Sequence, residues 1–225
     1  MRYRAVFFDL DGTLTDSGEG IIESAQYAFR ELGLPLPDRE DFRKMVGPPL
    51  SVGFSLLGVP AERIEDAIFF YRDQYNNRGG KYKNRVYPGI EALLRNLRKA
   101  GFLLYVATSK PEPLAREILE GFGLAPYFAY IAGATMDHSR ENKGDVLNYL
   151  LSVVNPADGT VMVGDTRFDV TGAHDKGVPC IGVTWGYGLK EELETAGADA
   201  IVDSPGQLLA VLSSAKQNSE EEEPV

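Results

Sequence analysis

The pattern that most constrains the fold is an alternation of short apolar runs with helical segments from Pro88 onward. Runs rich in strand-forming residues recur between segments of helical apolar spacing, and they are Phe102–Ala107, Tyr130–Ala132, Thr160–Val163, Pro179–Val183 and Ala200–Val202. An earlier run, Tyr3–Phe8, has the same character and ends at Asp9. Strands that alternate with helices form parallel β-α units in a sheet that is covered on both faces. The sequence therefore predicts an α/β fold with a Rossmann-like parallel sheet.

A helical stretch separates the first predicted strand from the others. Between residues 17 and 78 the apolar residues follow helical spacing, and the polar, glycine-rich segment Asn76–Asn84 then indicates a linker. A helical domain inserted after the first strand is the simplest architecture with this order. We expect an α/β catalytic core at 1–14 and 85–215, an all-helical cap at 15–84, and a disordered acidic tail at 216–225.

Composition excludes several classes of protein. The 225 residues carry a net charge of −10, which disfavours nucleic-acid binding through a broad basic face. A single cysteine, Cys180, excludes a disulfide framework and a multi-cysteine zinc site. No apolar run reaches the length of a membrane-spanning helix, and Met1–Asp9 does not resemble a signal peptide, so we expect a cytoplasmic protein with no membrane partner.

Charged and hydroxyl side chains follow the predicted strands at their carboxyl ends, where parallel sheets bind ligands. These side chains are Asp9, Asp11, Thr108, Asp165 and Asp169, and Lys143 joins them from the predicted start of a helix. Asp9 and Asp11 point to the same side of an extended chain, and two such carboxylates repel unless a cation lies between them. With Asp165 they form an oxygen-rich set that suits Mg²⁺.

Each of these residues also has a purely structural interpretation. Asp11-Gly12 can be a simple turn, and Lys143 can be a solvated lysine at a helix start. Ser109 fits the N-cap of a capping box, which is the role favoured for it. Asp169 fits a second capping box that begins at Thr166, and a cap and a metal-site role are compatible there.

Four motifs in this order resemble the haloacid dehalogenase superfamily. They are Asp9–Thr13 (DLDGT), Ala107–Ser109 (ATS), Lys143 and Gly164–Asp169 (GDTRFD). The resemblance covers nearly the whole chain except the acidic tail. Since the dehalogenase and phosphonate-cleaving branches lack a second acid at the place of Asp11, it favours phosphatases and phosphomutases.

The resemblance implies a mechanism. Asp9 is expected to attack phosphorus and form an aspartyl-phosphate, and Asp11 to act as general acid and then as general base. Thr108 and Lys143 are expected to bind the phosphoryl oxygens. Mg²⁺ is expected to bind the Asp9 carboxylate, the Asp11 backbone carbonyl and Asp165, with Asp169 in support.

A helical cap between the first two motifs resembles class I phosphatases of this superfamily, whose caps close over the site. Hinges are expected near Leu14–Gly18 and Gly79–Tyr87. Substrate contacts are predicted at Ser109 and, in the cap, at Arg43 and Gly47, although a solvent-facing position is the first interpretation of Arg43 taken alone.

The motifs and the segment Ile181–Gly188 are most similar to the phosphoglycolate phosphatase-like group. A small phosphorylated metabolite, phosphoglycolate-like, is therefore the expected substrate. A pyrophosphatase, a 5′-nucleotidase, a β-phosphoglucomutase-like enzyme and a non-enzymatic binding protein stay open as alternatives. We expect a monomer or homodimer. His138 and His174 lack metal-ligand spacing.

Overall fold

A computed structural model describes residues 3–137, 139–154 and 159–217 of the chain, and the side chains up to residue 214. Its strands are β1 (Ala5–Phe8), β2 (Thr15–Asp16), β3 (Arg85–Val86), β4 (Leu103–Pro111), β5 (Tyr130–Ala134), β6 (Thr160–Gly164), β7 (Cys180–Val183) and β8 (Ala200–Val202). Its α-helices are α1 (Gly18–Glu31), α2 (Leu50–Leu56), α3 (Ile64–Arg72), α4 (Ile90–Lys99), α5 (Glu112–Gly121), α6 (Lys143–Val154), α7 (Arg167–His174), α8 (Lys190–Thr195) and α9 (Pro205–Gln217).

Six parallel strands form the main sheet in the order β5-β4-β1-β6-β7-β8. The strand order reverses at β1, which pairs with β4 on one side and with β6 on the other. In open α/β sheets a ligand binds in the crevice outside the carboxyl ends of the strands at such a reversal. The predicted α/β fold is confirmed, and the end of β1 is the position at which its topology favours a site.

Helices cover both faces of this sheet. Alternate residues of β1 point to opposite faces, so Val6 and Phe8 belong to one buried cluster and Ala5 and Phe7 to another. Helices α4, α5 and α9 contribute to the first cluster, and α6, α7 and α8 to the second. Every residue of β1 is therefore buried, and the end of the strand is held rigidly.

Helices α1 to α3, with the short helical turns around them, form a helical insert (residues 18–82) that has a hydrophobic cluster of its own. Phe29, Phe54 and Tyr71 are buried in this cluster, and the ring of Tyr71 stacks on that of Tyr75 at a centroid distance of 5.5 Å. The chain enters and leaves the insert through β2 and β3, which pair antiparallel.

The elements that the sequence analysis did not predict are short. β2 and β3 have two residues each, too few to show any periodicity. α8 lies in a polar segment and buries one leucine, Leu193. Across the described residues, no helix combines the length and apolar character that crossing a membrane requires. The disordered tail predicted at 216–225 is wrong for residues 216 and 217, which belong to α9, and its remainder at 218–225 lies outside the described residues, as does His138.

The predicted helix cap at Ser109 is wrong. β4 continues to Pro111, α5 begins at Glu112, and its first turn has no side-chain cap. Proline disfavours a helical conformation of the residue before it, so Pro111 keeps Lys110 extended. The hydroxyl of Ser109 is buried, and it neither donates nor accepts a hydrogen bond within the described part of the chain.

Candidate active site

Asp9 and Lys143 form the centre of the site. Asp9 directly follows β1, and its backbone N–H donates to the carbonyl of Val163 at 2.9 Å, which fixes it between β1 and β6. Lys143 is the first residue of α6, and its Nζ lies 2.6 Å from Asp9 Oδ1 and 2.8 Å from Asp169 Oδ1. Its third contact is a hydrogen bond to the carbonyl of Ala107 at 2.8 Å. All three polar directions of this buried ammonium are thus used.

Three buried carboxylates converge beside that lysine. Ligand atoms of Asp9, Asp165 and Asp169 all lie within 4.8 Å of one another. Burial, offset in part by Lys143, raises the pKa of Asp9 to about 7. Burial and the charges of Asp169 and Asp9 raise the pKa of Asp165 well above its usual range. One lysine cannot balance three carboxylates at low dielectric, so the cluster fits a divalent cation with oxygen ligands.

Backbone geometry holds the Asp165 carboxylate in a tight cradle. Its oxygens accept hydrogen bonds from the Thr13 hydroxyl at 3.2 Å and from the Tyr187 backbone N–H at 2.8 Å. Gly12, with a φ of +86°, and Gly186 both lie so close to this carboxylate that a Cβ on either would collide with it. Glycine at these two positions therefore leaves the space that the carboxylate occupies.

Asp169 is both a helix-capping residue and a member of the carboxylate cluster, the two roles that the sequence allowed for it. The predicted capping box is confirmed, because the Asp169 carboxylate accepts from the Thr166 backbone N–H at 3.0 Å and from the Thr166 hydroxyl at 2.8 Å. Its other oxygen faces Lys143. Asp169 is therefore anchored by its own helix while it contributes to the carboxylate cluster.

Asp11 lies outside that cluster and faces a cavity. Its Oδ1 accepts from the Ser17 hydroxyl at 2.6 Å, and its Oδ2 lies 2.9 Å from Lys110 Nζ. Thr108 lines the same cavity and accepts a hydrogen bond from the Lys110 backbone N–H at 3.2 Å. Asp9, Asp11 and Thr108 are thus accessible together from one side.

The cavity between the sheet edge and the helical insert measures about 470 Å³. Most of its wall is apolar, with Ile21, Met45, Leu50, Leu114 and Met136 among the lining residues. Two of its lysines are already paired, Lys110 with Asp11, and Lys81 with Glu117 at 2.6 Å.

Of the predicted substrate contacts, Ser109 and Gly47 line this cavity, whereas Arg43 does not. Arg43 is exposed and lines a second cavity of about 290 Å³ on the other side of the loop at Val46–Pro48. Its role in substrate binding stays a prediction. His174 contacts Asp199 at 2.9 Å, away from the site.

Sequence reasoning missed Lys110 and Tyr75. Lys110 follows Thr108 and Ser109 at the end of β4, so a cation beside a candidate phosphate loop was a usable signal. Tyr75 gave no such signal, because its contact with Lys110 joins residues that are far apart in the sequence.

Comparisons with known proteins agree with this geometry. The family model for haloacid dehalogenase-like hydrolases matches residues 6–183. The chain is 43% identical over 197 residues to the tyrosine-protein kinase PtkA of Mycobacterium tuberculosis. The aligned region covers 87% of this chain and 67% of that protein. It is 41% identical over 195 residues to a 5′-nucleotidase of Pseudomonas aeruginosa, covering 86% and 88%.

Two further similarities cover almost the whole chain. The chain is 30% identical over 219 residues to a phosphoglycolate phosphatase of Vibrio parahaemolyticus, covering 93% of this chain and 96% of that protein. A crystal structure titled as a predicted phosphatase from Clostridium acetobutylicum superposes with a TM-score of 0.90 at 42% identity, covering 95% and 100%. The family match extends over the strands that carry Asp9, Thr108 and Asp165. The chain therefore belongs to the haloacid dehalogenase-like hydrolases.

Proposed function

We propose that this hydrolase of phosphate esters is a Mg²⁺-dependent phosphatase whose preferred substrate has a bulky, uncharged leaving group, with nucleoside 5′-monophosphates first. The observation that carries the proposal is the cavity of about 470 Å³ that opens onto Asp9 and Asp11. Its volume lies in the range of pockets that enclose whole cofactors and drug-sized ligands.

The lining of the cavity favours this leaving group over glycolate. Of the cations in its wall, Lys110 and Lys81 are each already paired with an acid, which leaves Arg72, without an ion pair among the described residues, to meet a carboxylate. The apolar side chains of the wall, by contrast, can bury the base and sugar carbons of a nucleoside. Phosphoglycolate stays the second candidate substrate, supported by the similarity to the Vibrio parahaemolyticus enzyme.

In the proposed reaction Asp9 attacks phosphorus in line and the leaving oxygen takes a proton from Asp11. Water then attacks the aspartyl-phosphate and gives its proton to Asp11. Thr108 binds a phosphoryl oxygen. Lys143 reaches another by giving up one of its three present contacts, and it also balances charge on Asp9. Asp9, the Asp11 carbonyl and Asp165, with Asp169 in support, would hold Mg²⁺, which would neutralise charge on the transferred group.

We also propose that the helical insert, as a cap domain at 15–84 set against a core at 1–14 and 85–215, closes over this site. The insert supplies much of the cavity wall, including Ile21, Met45 and Leu50. Hinges at Leu14–Gly18 and Gly79–Tyr87 coincide with β2 and β3, where the chain enters and leaves the insert. Closure would exclude water from the phosphoryl transfer.

The decisive test is phosphate release with Mg²⁺ and with EDTA. The panel holds nucleoside 5′-monophosphates, phosphoglycolate, pyrophosphate, sugar phosphates and p-nitrophenyl phosphate. We expect metal-dependent release with the highest kcat/KM for a nucleoside monophosphate. A higher kcat/KM for phosphoglycolate would reject the bulky leaving group but keep the phosphatase, and no release from any ester would reject both.

Transfer of the phosphoryl group to a hydroxyl group instead of to water is the second candidate function. The 43% identity with PtkA is the observation that favours it. An aspartyl-phosphate can pass its phosphoryl group to a tyrosine or sugar hydroxyl in the same way as to water. Labelled ATP with a tyrosine-containing acceptor, and a sugar phosphate with its bisphosphate, test the kinase and mutase forms of this reaction.

A further inference from the structure

Lys110 and Tyr75 form a contact between the sheet and the helical insert that the proposed reaction does not yet use. Lys110 Nζ donates to the Tyr75 hydroxyl at 3.0 Å and lies 4.7 Å from the centre of the same ring. The same ammonium lies 2.9 Å from Asp11 Oδ2. Both side chains are buried, and both line the wall of the cavity beside Asp11.

The backbone around Tyr75 is built for this contact. Tyr75 lies in a π-helical turn, Asp73–Asn77, that continues directly from α3. Such turns are rare and occur frequently at functional sites. Gly80 lies so close to the turn that a Cβ there would come within 2.9 Å of the Tyr75 Cα, so the tyrosine is held from behind.

Both oxygens of Asp11 are thereby fixed, one by Ser17 and the other by Lys110. The carboxylate is thereby held in one orientation, which a group that takes a proton from an attacking water requires. Ser17 directly precedes the insert, whereas Tyr75 belongs to it.

We propose that Lys110 and Tyr75 are positioning residues for the second half of the reaction: Tyr75 orients Lys110, and Lys110 holds the Asp11 carboxylate toward the attacking water. In that step a bond forms from the water oxygen to phosphorus, the bond from phosphorus to Asp9 breaks, and the water proton passes to Asp11. The insert thus acts on dephosphorylation as well as on leaving-group selection. This inference rests on the proposed phosphatase function.

The test uses the full chain with Mg²⁺ and p-nitrophenyl phosphate, whose leaving group needs little protonation. For this ester kcat/KM reports phosphorylation of Asp9, and kcat reports dephosphorylation when that step is slow. Because a small misplacement can cost up to about 100-fold, we expect Tyr75→Phe to lower kcat roughly tenfold and Lys110→Met about 100-fold, with kcat/KM within about twofold of wild type. KM then falls together with kcat.

Rapid mixing gives an independent measurement. The variants should show a burst of nitrophenol that equals the enzyme concentration, and the acid-quenched chain should carry one phosphoryl group by mass. Lys110→Arg keeps the charge and should lose less activity than Lys110→Met. Tyr82→Phe is the matched control, because Tyr82 also belongs to the insert but is 75% exposed, and it should behave as wild type.

An equal fall of kcat and kcat/KM without a burst would overturn the inference, since it would indicate a general structural role. Unchanged kinetics in Tyr75→Phe and Lys110→Met would overturn it as well. If the wild-type chain itself forms no phospho-enzyme and releases no nitrophenol, the proposed function fails first and the inference falls with it.

Discussion

At the scale of single residues, charge balance decides what the site can hold. Lys143 pairs with Asp9 and Asp169, whereas Asp165 has hydrogen bonds but no ion pair within the described part of the chain. A negative excess thus remains in a buried place, and a cation with oxygen ligands removes it.

Replacing Asp9 by asparagine removes the proposed nucleophile with almost no change in shape. We expect Asp9→Asn to lower kcat by about a thousandfold or more, because loss of a nucleophile leaves only the residual effect of binding. Phosphate release with Mg²⁺ measures it, and a thermal melt checks that the variant is folded. Activity above a tenth of wild type would refute the assignment of Asp9.

Replacing Asp11 by asparagine should separate the two halves of the reaction. Asp11→Asn cannot accept the proton of water, so we expect the phospho-enzyme to form slowly and then persist. Turnover should fall by about 100-fold or more, the range for a lost general base. Mass measurement after acid quenching detects the trapped group, and a variant that stays unmodified under turnover would contradict the general-base role.

The sequence identified the residues of this centre because they follow strands at one edge of the sheet. Asp9 and Asp165 follow buried strands, Thr108 lies near the end of one, and Lys143 begins a helix, so topology alone brings them together. The partners of Asp11 could not be predicted in this way. Lys110 and Tyr75 meet only because the insert docks on the core, which no local pattern encodes.

At the scale of elements, a single loop couples the helical insert to the carboxylate cluster of the site. Gly47 has a φ of +104°, and a Cβ there would lie 2.7 Å from the Thr166 side chain. Thr166 caps α7 and holds Asp169. The loop at Gly47 therefore lies directly against the turn that positions a carboxylate of the site.

An alanine at Gly47 should harm substrate binding as well as stability. We expect Gly47→Ala to cost about 1 kcal/mol of stability from the positive φ. Because the new methyl group pushes the loop away from Thr166, we also expect KM to rise. Gly58→Ala is the matched control, since Gly58 has a φ of +80° with nothing within 4 Å of its Cβ position. Equal kinetics in the two variants would show that the loop contact does not matter.

Elements were predictable where they were long and amphipathic. The six strands of the main sheet and helices such as α4 and α6 followed from apolar spacing. β2 and β3 did not, since two-residue strands depend on their pairing with each other. The cap predicted at Ser109 was wrong because Pro111 extends the strand past the expected helix start.

At the scale of the whole molecule, the buried carboxylates link stability to pH and to metal. In the metal-free protein burial raises the pKa of Asp9 from its ordinary value to about 7. The folded state therefore binds this proton more tightly than the unfolded chain does. The stabilisation is complete below pH about 4 and is lost as the pH rises to about 7.

Mg²⁺ should reverse this loss. We expect it to raise Tm more at pH 8 than at pH 5, with a gain of about 2.7 kcal/mol when it is present at about 100 times its Kd. Thermal melts with Mg²⁺ and with EDTA measure the effect. Asp165→Asn should abolish the increase in Tm that Mg²⁺ gives and should stabilise the metal-free chain. Asp66 is exposed, so Asp66→Asn should leave that increase in Tm intact. A Mg²⁺ increment that survives in Asp165→Asn would place the ion elsewhere.

The position of β1 also sets the order in which the molecule can assemble. β1 leaves the ribosome long before its two neighbours, which begin only at Leu103 and Thr160. Loops of that span are entropically costly to close, and contacts of long range slow folding. The helical insert is complete before either neighbour exists and can collapse on its own cluster meanwhile. The strand that precedes the proposed nucleophile is therefore synthesised before its neighbours and pairs late, so the proposed site is complete only when most of the fold is already in place.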